Sequence, residues 1–495
     1  MEFTELADYH LPSGRVTEWT PSTEGDGECW AVDNRPLTYV HEHHVVRGVA
    51  YKTRDVDESS WLGGVFEVHE RYDERALART LRSWMLRHEA LRTTVATGVD
   101  TTGAISMTRL TNAGCVLDMR PRVAGPIDAS AIHDHLTGLF DSRISALRWP
   151  HCLVASITEV EGALPGDGFV LVFAADHSVM DAYSMLLSIN EIQRLYAFEV
   201  RGAEHQLPQI GSHIDFSVTD RLAGGCLTAD HVAVRAWDRF LGVGTGAFPA
   251  FPLPVEAVGA PHVTDCDIAD RPQAGTSSWL LSNETAAVVN AHCRRLGFTL
   301  QSAVLAALAT TTRELTGMNT LRFTMPVHTR HESQYAESVG WYVGIIPVEI
   351  DITCAQSFAD CMSAAAAAIA ERKDLSRYPY PRVAELLENR AVPRFVVSYL
   401  DVRFVPGAHD WVRWRAHTLR SAAYSGDEVY LWISRTPEGL NISARYPATD
   451  VASTNVAAFI SGLGNQLAEL TQEHRFHVSA PAPFSLTYSE DKFPA

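Results

Sequence analysis

The hydrophobic pattern of residues 169–185 changes abruptly from that of a strand to that of a helix. The first part, FVLVFA, is apolar and rich in β-branched and aromatic residues, which predicts a strand buried on both faces. The second part starts at Asp181 and spaces its apolar residues as one stripe of a helix. Asp176, His177 and Asp181 lie between the two. A histidine at the end of a buried strand can act as a general base, although such a residue is more often structural, and Asp181 can cap the helix or bind a buried cation.

Elsewhere the pattern mixes helices with strands along the whole chain. Amphipathic spacing predicts helices at residues 74–95, 128–139, 283–296, 300–315, 355–373 and 451–471. Short apolar runs predict an edge strand at 16–19, a strand pair at 338–352 and a hairpin turning at 437–439. Glycines 242, 244 and 246 run into prolines rather than into a helix, so they indicate a linker and not a phosphate loop. Because no regular βαβ repeat emerges, we expect an α/β protein of two sandwich-like lobes with mixed sheets.

Length and charge narrow the classes of function. At 495 residues, the chain exceeds what one hydrophobic core usually organises, so two domains or two fused half-domains are expected. Acidic residues (59) outnumber basic ones (41), the net charge is -18, and no dense run of Lys and Arg occurs, which argues against nucleic-acid binding. An acidic carrier protein or coenzyme A would need a local basic patch, for which Arg413, Arg415 and Arg420 are candidates.

Cysteines, histidines and the start of the chain give no sign of a metal or a membrane. The eight cysteines include no C-x-x-C pair, which favours reduced thiols. His41 and His44 share a helical face while His43 lies off it, so we expect no metal site there. The N-terminal stretch lacks the features of a signal peptide, and no apolar run is long enough to span a bilayer. We therefore expect a soluble, cytoplasmic protein.

Four sequence boxes, taken in order, resemble the condensation-domain superfamily, which includes the condensation domains of nonribosomal peptide synthetases and actinobacterial polyketide-associated acyltransferases. RHEALRT at 87–93 matches the family's RHExLRT, and DHSVMDA at 176–182 matches HHxxxDG. HIDFSV at 213–218 resembles the tyrosine-aspartate-tyrosine box, and VGWYVGIIPV at 339–348 resembles the later strand motif. Their order and spacing agree from about residue 36 to 470. The stretches VTEWTPS, VVSYLDV and YLWISR are most similar to stand-alone polyketide-associated acyltransferases.

This resemblance implies a chloramphenicol-acetyltransferase-like fold, in which two lobes form a V around a central tunnel. The lobes would be residues 1–205 and 276–495, with a connector at 206–275. An acyl thioester of a carrier-protein phosphopantetheine or of coenzyme A would enter from one side. A small-molecule alcohol or amine would enter from the other side, and no cofactor would be bound.

Carried over by position, His177 becomes the catalytic base, and Asp181 becomes a structural residue that pairs with an arginine, which we expect to be Arg92. Asp176 stands in place of the first histidine of the family motif, and Ala182 in place of its glycine. We expect Asp176, Ala182, Ser398 and Trp341 to line the tunnel or to lie near the oxyanion. The alanine methyl group would narrow that space.

Three functions remain open at this point. Ester formation is the first, because the most similar proteins are O-acyltransferases. Amide formation by a free-standing condensation enzyme is the second. The third is a catalytically silent fold that docks a carrier protein, which the departures at Asp176 and Ala182 allow and the retention of His177 and Asp181 opposes.

Overall fold

The computed structural model of the chain describes residues 2–23, 29–53, 60–99, 104–114, 117–161, 164, 167–202, 206–242, 246–256 and 272–478. Gly244 and two of the eight cysteines, Cys115 and Cys266, lie outside the described residues. The strands are β1 (Phe3–Glu5), β2 (Gly14–Thr23), β3 (Trp30–Asp33), β4 (Trp61–Val68), β5 (Thr93–Val99), β6 (Ile105–Asn112), β7 (Leu117–Ile127), β8 (Cys152–Thr158), β9 (Phe169–Asp176), β10 (Gln273–Ser282), β11 (Thr320–His328), β12 (Val343–Asp351), β13 (Phe395–Asp401), β14 (His417–Arg420), β15 (Val429–Thr436) and β16 (Gly439–Pro447). The α-helices are α1 (Tyr39–Thr53), α2 (Glu74–Arg87), α3 (Ala129–Arg143), α4 (Ala182–Arg201), α5 (His213–Gly225), α6 (Val232–Gly242), α7 (Asn283–Arg295), α8 (Leu300–Thr316), α9 (Phe358–Arg372), α10 (Tyr380–Leu386) and α11 (Asp450–Val478).

Two large sheets and one small sheet organise these elements. The first sheet has the strand order β1-β14-β4-β9-β8-β2-β7, and the second has the order β10-β16-β15-β13-β11-β12. A third sheet joins β3, β6 and β5. Parallel pairs (β1 with β14, β11 with β13, β13 with β15) occur beside antiparallel ones. The prediction of an α/β fold with mixed sheets is therefore confirmed.

The strand that leads into the predicted site, β9, is central to the first sheet and fully buried. It pairs with β4 on one side and with β8 on the other. Its odd-numbered residues from Phe169 to Ala175 belong to the core under α2 and α4, whereas its even-numbered residues from Val170 to Ala174 belong to the core on the opposite face. This period of two over an unbroken apolar run is what a doubly covered strand requires. The end of β9 is thereby held rigidly.

The first sheet also receives a strand from the far end of the chain. β14 lies between β1 and β4, pairing antiparallel with β4 through residues 417–420. Residues that the resemblance assigned to the C-terminal lobe thus complete the sheet of the N-terminal lobe. The lobe boundaries at 205 and 276 and the V-shaped arrangement remain predictions.

The strand predicted at 16–19 and the hairpin predicted at 437–439 have different outcomes. The expected edge strand at 16–19 is wrong in its position, because β2 runs from Gly14 to Thr23 and is paired on both sides, with β7 and β8. The hairpin is confirmed, since Thr436 pairs with Gly439 across a two-residue turn between β15 and β16.

The second sheet carries its own core, into which α6, α7, α8, α9 and α11 pack. Helix α8 is the most buried of these: its residues from Ala303 to Ala309 are at most 1% exposed. Within the described residues, no helix has the length and apolarity that a bilayer span requires. Several cysteines among the described residues are free thiols, namely Cys152, Cys226, Cys293, Cys354 and Cys361.

Candidate active site

The loop between β9 and α4 carries the candidate catalytic residues. β9 ends at Asp176, and α4 begins at Ala182 with Asp181 as its N-cap. The Asp181 carboxylate accepts a hydrogen bond from the Ser184 amide at 2.7 Å, which confirms the capping role left open by the sequence. The His177 amide donates to the main-chain oxygen of Ser60 at 3.2 Å, so the loop is fastened at both ends.

His177 is packed against an aromatic ring and kept neutral by its surroundings. Its ring lies 4.1 Å from that of Trp341, at an interplanar angle of 32°. The side chain stays partly accessible, while its Nδ1 atom is buried and forms no regular hydrogen bond with the described residues. Burial and, to a smaller extent, His44 together lower the pKa of His177 to about 4, against the opposing effect of the main-chain carbonyl of His177. At neutral pH the imidazole is therefore unprotonated at one nitrogen and able to accept a proton.

The arginine that pairs with Asp181 is Arg330, not Arg92. Nη2 of Arg330 lies 3.0 and 3.1 Å from the two carboxylate oxygens, and both side chains are almost fully buried. Arg92 ends a 3-10 turn beside the third sheet, and its Nη1 donates instead to the main-chain oxygen of Asn112. The prediction of an Asp181–Arg92 pair is thus wrong, because Arg92 is already engaged with β6 while the loop after β11 delivers Arg330 to the start of α4.

Asp181 also joins the start of α4 to the motif at 339–348. The amide of Tyr342 donates to its Oδ2 at 3.0 Å. Burial by itself raises the pKa of Asp181, but Arg330 and the hydrogen bonds from Ser184 and Tyr342 outweigh it and hold the pKa below its usual range. Asp181 is therefore an ionised cross-link between the start of α4, Arg330 and Tyr342.

Residues 339–342 were predicted as part of a strand pair, which is wrong: only β12, from Val343, is a strand. Their amides are taken by other partners, since Val339 donates to Nδ1 of His88 and Gly340 to Oγ of Ser184, both at 3.2 Å. Because the Val339 and Gly340 amides bind side chains of the motif at 87–93 and of the start of α4, they are not available for hydrogen bonds to a neighbouring strand.

The box at 213–218 packs directly on the same segment. Nε2 of His213 is 3.0 Å from the main-chain oxygen of Trp341, and because a carbonyl only accepts, Nε2 carries the proton. A Cβ atom on Gly340 would stand 2.5 Å from the His213 ring, so this close approach demands glycine. Burial lowers the pKa of His213 to about 4, which keeps the ring neutral.

The RHEALRT box contacts both the segment at 339–342 and helix α4. His88 is fully buried, and its Nδ1 accepts the Val339 amide, so Nε2 carries the proton and donates to the Glu191 carboxylate of α4 at 3.1 Å. Arg87 reaches the same carboxylate at 3.2 Å. All four boxes that carry the resemblance therefore meet around one loop and one helix.

Asp176, which replaces the family's first histidine, belongs to a buried polar cluster and not to an open tunnel wall. It accepts from Nε2 of His44 at 3.1 Å, from Oγ of Ser60 at 3.0 Å and from the Ser178 amide at 2.8 Å. Burial alone raises the pKa of Asp176, but His44, His151 and the hydrogen bond from Ser178 outweigh it and lower the pKa. The His44 ring stands edge-on to Trp341, with centroids 5.6 Å apart. The cluster therefore contacts the same Trp341 ring that packs against His177.

Sequence reasoning missed the role of His44. The helical spacing that places His41 and His44 on one face was visible, and both are buried while His43 is exposed. Nothing in the sequence connects that face to Asp176. Among the described residues, no three His, Cys, Asp or Glu side chains converge on a metal-sized site.

Ala182 lines a narrow space between the two large sheets, and Ser398 lies on a strand that borders it. Ala182 lines a cavity of about 30 Å³ together with Leu400 and Trp432. Ser398 shares a strand face with Leu400 and pairs in register with Trp432, so it lies on the same side of β13. Neither residue belongs to the hydrogen-bond network described for His177 and Asp181.

The three arginines suggested as a basic patch do not form one. Arg413 and Arg415 are exposed or half-exposed, and Arg415 pairs with Glu67 at 3.0 Å. Arg420 is only 3% exposed and pairs with Glu5 at 2.8 Å. It fastens β1 to β14 and is not available to an anionic partner.

Comparisons with known proteins agree with this geometry. The sequence model of the condensation-domain family matches residues 163–398. The acyltransferase PapA3 of Mycobacterium tuberculosis is 25% identical over 475 residues, which cover 92% of this chain and 94% of PapA3. The 2'-acyl-2-O-sulfo-trehalose (hydroxy)phthioceranyltransferase PapA1 of the same organism is 25% identical over 418 residues, covering 82% and 76%. The solved structure of the PapA2 acyl transferase superposes with a TM-score of 0.81 at 21% identity, covering 95% of this chain and all of that one. By its motifs, its fold and these likenesses, the chain is similar to condensation-domain proteins over residues 163–398 and to polyketide-associated acyltransferases over most of its length, and these comparisons identify it as an acyltransferase.

Proposed function

We propose that the protein moves an acyl group from a thioester to a hydroxyl of a small-molecule acceptor, with His177 as the general base. The observation that carries this proposal is the state of His177, which is partly accessible, held against Trp341 and neutral at physiological pH because its pKa is lowered. A base must be unprotonated and reachable before it can activate a hydroxyl.

In the proposed reaction, the proton of the neutral imidazole resides on the buried Nδ1, beside the main-chain carbonyl of His177. Nε2 then accepts the proton of the acceptor hydroxyl while the hydroxyl oxygen attacks the thioester carbonyl. The resulting tetrahedral intermediate expels the thiolate, which takes the proton back from Nε2 and leaves as the thiol. A C–O bond forms, a C–S bond breaks, and no acyl-enzyme is required.

The oxyanion of that intermediate would be stabilised by the start of α4. The amides of Ala182 and Tyr183 belong to the first turn of a 20-residue helix, where unpaired N–H groups and the helix dipole favour negative charge. Asp181 takes the Ser184 amide, which follows them in the same turn. Donors fixed in this way cost no reorganisation when charge develops on the carbonyl oxygen.

The nature of the two substrates is proposed from the family and its members. Condensation-type acyltransferases use thioesters, so the donor is proposed to be a phosphopantetheine carrier protein or coenzyme A, with the exposed Arg413 as a candidate for a phosphate contact. The name of PapA1 describes transfer of a (hydroxy)phthioceranyl group to an acylated sulfo-trehalose, which supports a hydroxylated acceptor here. The two substrates would reach His177 through the predicted tunnel between the lobes.

The test is a screen of acyl-coenzyme A and acyl-carrier-protein donors against sugars, simple alcohols and amines. Thiol release is followed by colour development with a thiol reagent, and products are identified by mass spectrometry. The proposal predicts an ester and one thiol per transfer, both lost in His177→Ala.

Two outcomes would correct the proposal in different ways. Products formed only with amines would make the protein an amide-forming condensation enzyme. Tight binding of a carrier protein without any transfer, to water or to an acceptor, would make it a docking protein.

A further inference from the structure

The N-terminal strand β1 lies where the two large sheets approach each other. It is the edge strand of the first sheet, and β14 fastens it through three residue pairs. Its other side faces the second sheet: the Phe3 amide is 3.4 Å from Oγ of Ser443, and the Phe3 ring lies 4.8 Å from that of Trp432. A side chain on this short strand therefore fills the gap between the sheets.

Two cavities lie on either side of this strand. The inner cavity, about 30 Å³, is lined by Phe3 and Ala182 and by Met185, Leu186, Leu400, Val402 and Trp432. The outer cleft, about 350 Å³, includes Tyr9 and Trp279. Glu2 lines both spaces, and the neighbouring residues 417 and 418 of β14 line the outer cleft and the inner cavity respectively. In the described part of the chain, β1 and β14 therefore form the partition between them.

The chemistry of the inner cavity suits an acyl chain. It starts at Ala182, the residue after Asp181 in the catalytic loop, and its walls are mainly aliphatic and aromatic. It has room for only about one or two water molecules, whereas small-molecule sites usually exceed about 300 Å³. The outer cleft has that larger size. An acyl group that extends from the reacting carbonyl past Ala182 into the inner cavity would be directed toward the Phe3 ring, which lines the same cavity.

The two walls of the inner cavity differ in how firmly they are held. The Trp432 ring stacks on Tyr430 at 4.0 Å, and the guanidinium groups of Arg420 and Arg445 lie near it at 5.7 and 5.6 Å. Phe3 belongs to a three-residue strand at the edge of its sheet. Substitution at position 3 should therefore change the cavity more readily than substitution of the packed tryptophan.

We propose that Phe3 closes the end of the acyl pocket and so determines the length of acyl chain that the enzyme accepts. The inference rests on the proposed acyl transfer and adds a residue far in sequence from the catalytic loop. Removing the ring would enlarge the inner cavity, which Phe3 lines, and allow a longer chain to extend between the sheets.

The experiment compares kcat/KM for a series of thioesters from short to long acyl chains in the wild type, Phe3→Ala and Phe3→Trp. Phe3→Ala should raise the ratio of long-chain to short-chain kcat/KM by about tenfold or more, since single methylene differences in apolar pockets already give about 10-fold discrimination. Phe3→Trp should lower the same ratio. Either variant alone therefore tests the inference if the other one folds poorly.

Leu6→Ala is the matched control. Leu6 lies in the same N-terminal segment and is buried, but it packs into the core on the other face of the sheet and lines neither cavity. Its chain-length profile should equal that of the wild type. An equal shift in Leu6→Ala, or an unchanged profile in both Phe3 variants, overturns the inference.

Failure of the proposed function would be recognised separately. If the wild type transfers no acyl group, the proposed function fails, and calorimetric binding of the same acyl-coenzyme A series to wild type and Phe3→Ala decides the inference. A selective gain of affinity for long chains supports it, and identical preferences overturn it.

Discussion

Removing one partner of the ion pair between Asp181 and Arg330 should destabilise the folded protein by several kcal/mol. Both side chains are withdrawn from water, with 2% and 5% of their surfaces exposed. Besides the carboxylate, Nη2 of Arg330 is 2.8 Å from Oγ of Ser184, and Nη1 donates to the carbonyl of Tyr335 at 2.8 Å. Removing one partner of such a pair leaves a buried charge without its counter-ion, which costs about 3–5 kcal/mol.

A double-mutant cycle measures this coupling. Asp181→Asn keeps the shape and the ability to cap α4, so its loss of about 3 kcal/mol would report chiefly the missing charge. Arg330→Met should cost a similar amount. The double variant no longer buries an unpaired charge, so its loss should be about 2 kcal/mol smaller than the sum of the two.

Arg92 provides the control, because its guanidinium bonds Asn112 and not Asp181. Arg92→Gln combined with Asp181→Asn should be additive within about 0.5 kcal/mol. The assay is urea unfolding of the full chain, followed by tryptophan fluorescence and circular dichroism at constant m value. Coupling of Asp181 to Arg92, with additivity between Asp181 and Arg330, would refute the assignment.

Three further predictions concern the surroundings of the loop. Because the pKa of His177 is lowered to about 4, kcat/KM should be constant from about pH 5 to 8 and should fall about tenfold per pH unit below about 4; a limb near pH ~6.5 would contradict this. Gly340→Ala forces a methyl group against the His213 ring and should lower the free energy of unfolding by about 1–3 kcal/mol. The control is Gly138→Ala, where nothing lies within 4 Å of the added methyl group and no decrease is expected. Urea-unfolding midpoints of the two variants measure the difference. Asp176→Ala deprives a buried imidazole, a hydroxyl and an amide of their acceptor and should cost about 3 kcal/mol in the same assay, so an unchanged midpoint would contradict the described cluster.

The parts of the site that lie close together in sequence could be predicted from it. The apolar run of β9, the cap at Asp181 and the apolar stripe of α4 follow local rules of strand burial and helix capping, and the structure agrees with each. Trp341 could be expected near His177 only through the resemblance, because the order of the boxes, and no local pattern, brings residue 341 to residue 177.

The parts that depend on distant pairing could not be predicted. Arg330 is 149 residues from Asp181 and follows a strand without any distinguishing motif, so RHEALRT offered the more visible arginine. The insertion of β14 into the first sheet depends on a register with β4 that a four-residue strand does not reveal. Asp176 was expected near the tunnel from its place in the motif. Its role as the hydrogen-bond acceptor of His44 could not be predicted, because it appears only when α1 packs beside β9.

Turnover of His177→Ala tests the central claim most directly. With the donor and acceptor found in the screen, kcat/KM is measured for the wild type, for His177→Ala and for His43→Ala, which removes an exposed imidazole from α1. General base catalysis predicts that His177→Ala loses about 10²–10⁴-fold while its circular dichroism and that of His43→Ala match the wild type, and that His43→Ala keeps its activity. Near-normal turnover by folded His177→Ala would contradict the account.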